Sequence, residues 1–212
     1  MPVLLKGDSS MAVMPMEYSP GTVARRFTVL EEVILRDTSY QVVYDDKLPF
    51  AAVIETLPSY KDGDARHIVV ATLELQRRAQ LEGVLVKKFW EDSDVAQIEG
   101  VVVDGAMRDV GLATVVYETV ANKAGVVLLS DNEQYEGGKA LWQHIARKSK
   151  ALRVYILDTD AAQYFPFDGS RVEYDGKSIP EAEIWSEHPD TAKHPVVLVA
   201  EPATRQETAI AS

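Results

Sequence analysis

The chain has no cysteine, which excludes a disulfide framework, a thiol nucleophile and a thiolate metal site. It also lacks any apolar run near the roughly 20 residues that a membrane-crossing helix needs. The start, Met1-Pro2-Val3-Leu4-Leu5-Lys6, is too short in its apolar part for a secretion signal and has no basic leader. A cytoplasmic protein is therefore expected. Basic residues are in deficit, 22 Lys and Arg against 33 Asp and Glu, giving a net charge of −11. Phosphate-backbone affinity comes from clustered cations displacing counterions, so a free-standing nucleic-acid binder is not expected. The small basic groups Arg25-Arg26, Arg77-Arg78, Lys87-Lys88 and Arg147-Lys148 each stand among acids and read as solvated faces. The acidity suits a cationic acceptor, and it equally serves solubility.

Several chemistries are missing as well. The four histidines (His67, His144, His188, His194) are scattered, without the spacing or carboxylate company of a metal site. Gly137-Gly138-Lys139 is no Walker loop, because Ala140 stands where a hydroxyl must hold magnesium. No Gly-x-Ser-x-Gly elbow occurs, which argues against a serine hydrolase.

With 46% hydrophobic residues, the chain can bury a full core. Residues 26–90 are largely β in character: Phe27–Leu35, Tyr40–Tyr44, Phe50–Thr56, His67–Leu75 and Val84–Trp90 are rich in Val, Ile, Thr and aromatics. Glu74–Leu81 is the one candidate for a short helix there, and Met1–Gly21 reads as irregular. The most informative stretch is Ala96–Ala124. Ala96–Val103 is a short apolar run suited to a buried strand, and Asp104-Gly105-Ala106 supplies turn chemistry. Leu112, Val115, Val116, Thr119 and Val120 then recur at helical spacing, with Gly125 where a C-cap belongs. A glycine turn opening a helix leaves amide hydrogens free for phosphate oxygens, and Gly111 lets a ligand approach the backbone.

A second strand (Gly125–Ser130), a second amphipathic helix (Gly137–Lys148) and a third strand (Leu152–Leu157) follow. Tyr164-Phe165-Pro166-Phe167 reads as an aromatic loop, Val172–Ile179 as a hairpin around Asp175-Gly176, and Pro195–Ala200 as a final strand. Trp90, Trp142 and Trp185 read as core anchors. The expected organisation is one domain over residues 1–202. It holds a β-rich part (22–91), a core (96–158) and a C-terminal strand region (172–200), with a flexible tail at 203–212.

Arg108-Asp109-Val110-Gly111-Leu112-Ala113 between a strand and a helix resembles the acyl-coenzyme A signature of the GNAT N-acetyltransferases, Arg/Gln-x-x-Gly-x-Gly/Ala. The order strand, turn, helix, strand, helix, strand is also that of the GNAT core. Ser130-Asp131-Asn132-Glu133-Gln134, Gly137-Gly138 and Leu141-Trp142 are similar to bacteriophage-encoded members of the family. The resemblance implies an α/β (α+β, mixed-sheet) fold and transfer of acetyl from acetyl-coenzyme A to an amine on a small molecule or protein. It implies pyrophosphate binding by Arg108 and the amides of Val110, Gly111, Leu112 and Ala113. Amides at Val101 to Val103 would hold the thioester carbonyl, and Asn132 would contact the cofactor arm. The plain reading of the same turn is an ordinary strand-to-helix connection with an exposed arginine.

Glu99 is the odd residue in its strand. It is a general base if burial raises its pKa, or else it pairs with a nearby Lys or Arg or sits near a splayed edge. A proton donor is harder to name. The resemblance implies a Leu-Tyr pair where this chain has Leu141-Trp142, and indole has no acidic hydroxyl. Tyr135 is the nearest candidate, with water as the alternative and Tyr117 read as packing. The helix pair that GNAT chains carry after their first strand is not legible here. That departure, with Trp142, keeps open a second function: a GNAT-fold binding protein that modulates a partner. Modification of nucleotides or DNA is a third, opposed by the charge.

Overall fold

The computed structural model describes residues 1–7, 11–61, 63–77, 89–90, 94–189 and 195–205. Most of the strand expected over Val84–Trp90, the latter part of Glu74–Leu81 and residues 206–212 of the tail lie outside the described residues. In chain order the strands are β1 (Val3–Leu5), β2 (Glu17–Tyr18), β3 (Thr28–Leu35), β4 (Thr38–Asp45), β5 (Phe50–Glu55), β6 (Ser59–Lys61), β7 (Asp64–Gln76) and β8 (Asp94–Val103). They continue as β9 (Val126–Leu129), β10 (Glu133–Tyr135), β11 (Leu152–Asp158), β12 (Gln163–Tyr164) and β13 (Val196–Pro202). The described helices are α1 (Pro20–Arg26), α2 (Leu112–Lys123) and α3 (Glu136–Lys148). The fold is α/β with mixed, largely antiparallel strand pairing, as expected; β8–β9 and β1–β10 are the parallel pairs among the described residues. No described helix is long and apolar enough to cross a membrane.

The chain divides into two compact units, each assembled from separate stretches. One takes Ser10–Leu75 and Glu99–Ala124; the other takes Met1–Ser9, Gln76–Ile98 and Gly125–Ser212.

In the first unit, β3, β4, β5 and β7 run antiparallel in that order, with β2 and β6 also paired to β7. Arg36 (φ 49°) and Asp37 (φ 63°) close the β3–β4 hairpin, both in the left-handed region that a two-residue turn of this twist demands. Val43, Ala52, Ile54 and Val69 pack on Val13, Tyr18, Val23 and Phe27. Helix α2 lies against β3, β4 and β5, burying Leu112, Val116 and Val120, and Thr119 Oγ1 donates to Glu31 at 2.9 Å. Glu74–Gln76 is strand rather than helix: Leu73 and Leu75 are buried while Glu74 and Gln76 are exposed, a period of two. The stretch expected to be irregular, Met1–Gly21, holds β1, β2 and the start of α1. Ser19 caps α1 by accepting from the Thr22 amide at 3.1 Å, and Pro20 opens the first turn.

Asp45 ends β4 almost fully buried. It accepts from Arg26 Nε at 2.6 Å and from the amides of Lys47 and Leu48 at 3.0 and 3.2 Å. Burial opposes its ionisation, but the Arg26 bond and the two amides outweigh burial, so its carboxyl titrates below the ordinary carboxylate value. A depressed folded-state pKa contributes stability above the unfolded value, about 4, and loses it as pH falls further. Asp45→Asn should therefore cost about 1–3 kcal/mol at pH 7. In urea unfolding at pH 7 and pH 3 the gap between wild type and variant should shrink at the lower pH; a gap independent of pH would contradict this account.

In the second unit the strand order is β12, β11, β13, β9, β8. β13 is antiparallel to both β11 and β9, while β8 and β9 pair in parallel from Asp94↔Val126 to Gln97↔Leu129. Trp90, Val95, Val127, Leu129, Leu157, Val197 and Val199 belong to its core. β1 pairs in parallel with β10, and the Ser186 amide donates to Pro2 O. Helix α3 packs on β10 and β11, and Trp142 and Trp185 are buried with Trp90, as anchors. The hairpin expected over Val172–Ile179 does not form. Asp175 accepts the amides of Lys177 and Ser178, taking the donors a ladder would use. Among the described residues the strand-like pairing there is a single bridge, Tyr155↔Glu173.

Candidate functional site

β8 leaves the core partway along its length. Gln97 and Ile98 are 3% and 4% exposed, Glu99 is exposed, and Gly100 to Val103 are partly so. Glu99 is therefore not enclosed: it stands at the point where the apolar run reaches the surface. Its position on the strand is what supports a role as base.

The turn after β8 is held from both sides. The Asp104 amide donates to Val70 O at 2.9 Å, and Asp104 Oδ1 accepts from the Ala106 amide at 2.9 Å. Gly105–Met107 forms one 3-10 turn, and the Tyr40 hydroxyl donates to Met107 Sδ at 3.9 Å. Arg108 is extended and exposed. Asp109 (φ 65°) and Gly111 (φ 85°) both take left-handed backbone before α2 begins. Gly111 is the N-cap of α2, and no side chain caps the helix. Its carbonyl takes the Val115 amide at 3.0 Å, so the amides of Leu112, Ala113 and Thr114 have no intrahelical acceptor. A Cβ at Gly111 would meet no atom within 4 Å. The glycine is there for its backbone angle, and the space in front of it is open.

Glu99, Val101, Val103, Arg108, Val110, Gly111, Leu112 and Ala113 fall within one short stretch of chain and sit in one unit. The side chain of Leu112 is buried, which leaves only its amide for a ligand. Asn132 and Tyr135 belong to the other unit. The Asn132 carbonyl accepts the Val3 amide at 2.7 Å, and Tyr135, half-buried, is the N-cap of α3 opposite Leu5. Tyr117 is buried on α2, in the packing role expected for it. Among the described residues no group of three or more His, Asp and Glu could hold a metal ion.

Sequence reasoning placed Gln97 on the strand without giving its side chain a part. In the structure Nε2 donates to Ser130 O at 3.0 Å, while Oε1 is buried with no hydrogen-bond partner. The signal was a carboxamide inside an apolar run. The N-terminal strand β1 was also missed, because three residues carry too little periodicity to be read. No protein-family model, curated protein or solved structure matches this chain.

Proposed function

We propose that the chain is an acyltransferase of GNAT type that moves acetyl from acetyl-coenzyme A directly to an amine. The observation that carries this reading is the N-terminus of α2, which is uncapped, preceded by a left-handed glycine and flanked by exposed Arg108. Amide hydrogens and the helix dipole together favour an anion there. The Arg-x-x-Gly-x-Ala pattern falls on the same residues, and a strand, a second helix and a third strand follow in the family's order.

On this reading Arg108 and the amides of Val110 to Ala113 hold the pyrophosphate. The amides of Val101 to Val103 polarise the thioester carbonyl and stabilise the oxyanion as the amine attacks. Glu99 accepts the proton released from the amine, and water returns one to the departing thiolate. The lack of cysteine agrees with direct transfer, which needs no enzyme-bound acyl group. A cytoplasmic setting suits such a donor, that of a host if the chain is phage-borne.

Titration calorimetry with acetyl-coenzyme A, followed by thiol release in the presence of amines, tests the reading. Binding with turnover supports it, and absence of binding overturns it. Glu99→Gln should slow transfer by about 100-fold while donor affinity stays within twofold; an unaltered rate removes Glu99 from the mechanism.

One observation favours a second reading. Trp142, buried in α3 where the resemblance implies a tyrosine, has no hydroxyl to give. A GNAT-fold protein that binds the donor without turning it over, and modulates a partner, would show calorimetric binding and no thiol release.

A further inference from the structure

β3 is the end strand of the first unit, and among the described residues no strand pairs with its outer flank. Which of its backbone groups face outward follows from the hairpin. Arg36-Asp37 is a two-residue turn, so Leu35 and Thr38 close it as a hydrogen-bonded pair, and bonded pairs recur at every second residue. Ile34 opposite Ser39 and Glu32 opposite Gln41 are therefore the non-bonded pairs. The Ser39 carbonyl has the same phase: it turns away from β3 to accept the Thr56 amide at 3.0 Å. The N–H and C=O of Glu32 and of Ile34 thus point outward from the sheet. Their side chains stand on the face opposite Glu31, which is bonded to Thr119 of α2. Ile34 is 76% exposed, and exposed Glu32 accepts from Gln41 Nε2 at 2.8 Å.

A bulge between Val29 and Glu31 shifts the register at one end of this flank, and the turn closes the other. The open stretch is Glu31–Leu35, about 17 Å long. Free edges are commonly guarded by charge. The guard here is acidic: Thr28–Asp37 carries Glu31, Glu32 and Asp37 against Arg36. A second copy is the wrong occupant, since two β3 strands would bring four glutamates into one ladder on chains of net charge −11.

We propose that the outer flank of β3 takes up an extended, cationic peptide segment of another protein as an added antiparallel strand. A Lys or Arg lies opposite Glu32, and a β-branched residue opposite Ile34. The outward groups of Glu32 and Ile34 supply the pairing. The two side chains, on one face and two residues apart, supply the selection, an apolar-x-basic pattern in the peptide. This surface stands independently of the acyl-transfer reading.

The probe is fluorescein-labelled (Thr-Val-Thr-Lys)2, with valine and lysine on one face, read by anisotropy against the full chain. Wild type should bind it saturably. N-methylating its valines and lysines keeps the charge, removes the donors and should abolish binding. Glu32→Lys, at an exposed position, should weaken the basic peptide about fivefold and bind (Thr-Val-Thr-Glu)2 in its place. Ile34→Pro removes an N–H that the β4 ladder does not use. It should therefore melt within a few degrees of wild type and weaken the peptide at least tenfold. Amide exchange locates the added strand: Glu32 and Ile34 should slow on binding, and Val33 should not. The proposal fails if wild type gives no saturable binding, or if the N-methylated or acidic peptide binds wild type as well as the basic one. It fails equally if neither variant changes affinity. Dimerisation of wild type that Ile34→Pro abolishes would assign the edge to a second copy and overturn it.

Discussion

Gly111→Glu is expected to weaken acetyl-coenzyme A binding at least 100-fold, through charge rather than through the fold. A Cβ at this position has open space, with no atom within 4 Å, so the backbone angle carries the structural penalty. At φ 85° that is about 1–2 kcal/mol for a side-chain-bearing residue. A carboxylate at a helix N-terminus returns part of it, since a negative charge there is favourable by about 0.3–1 kcal/mol. The variant should fold, with its own carboxylate where the pyrophosphate would lie. Gly111→Ala is the control: similar strain, no charge, and affinity reduced only a few-fold. Calorimetry on the pair decides the matter; wild-type affinity in Gly111→Glu would show that the mouth of α2 holds no phosphate.

Glu201→Ala should be the most damaging single substitution for stability, at about 3–5 kcal/mol. Glu201 on β13 is 4% exposed and accepts from Trp90 Nε1 at 2.6 Å and from the Tyr164 hydroxyl at 3.4 Å. It pairs with Arg171 at 2.7 Å, and that guanidinium lies over the rings of Tyr155 and Tyr164 at 3.8 and 4.3 Å. Burial first, and the Glu201 carboxylate next, push the Tyr164 phenol above its ordinary range, so it stays protonated and donates. Removing the carboxylate leaves a largely buried cation without its counter-charge and an indole N–H without its acceptor. Urea unfolding at pH 7 measures the loss, and a cost under about 1 kcal/mol would refute the assignment. Replacing both charges, as Glu201→Leu with Arg171→Met, should restore part of it, because no cation is then left uncompensated, while the Trp90 N–H and the Tyr164 hydroxyl still lack their acceptor.

The parts of this fold that could be read in advance are those whose signal is local. β8, the turn and α2 follow from a short apolar run, a glycine turn and helical spacing. The C-terminal signal of α2 is of the same kind: Ala124 is the C-cap and Gly125 follows at φ 72°. α3 and β11 fall within one residue of expectation. What escaped depends on partners distant in sequence. β1 exists because Glu133–Tyr135 offers it an edge, and the β3–β4 turn uses Arg36-Asp37 in place of the glycine that would have announced it. The surfacing of Glu99 is invisible in alternation alone, since an apolar neighbour reads the same on a core strand and on one leaving the core. In the candidate site, the contiguous residues of the turn were legible. The orphaned Gln97 oxygen was not, because its state is fixed by Ser130.

Among the described residues, the strand that comes latest in chain order is also an interior one. β13 enters between β9 and β11, both made earlier, and is antiparallel to each. Until Val196–Pro202 emerges, two apolar strands of the nascent unit each hold an empty flank of amides and carbonyls. Such flanks template pairing with other chains, so premature release during synthesis is the moment at which this protein is most prone to aggregate.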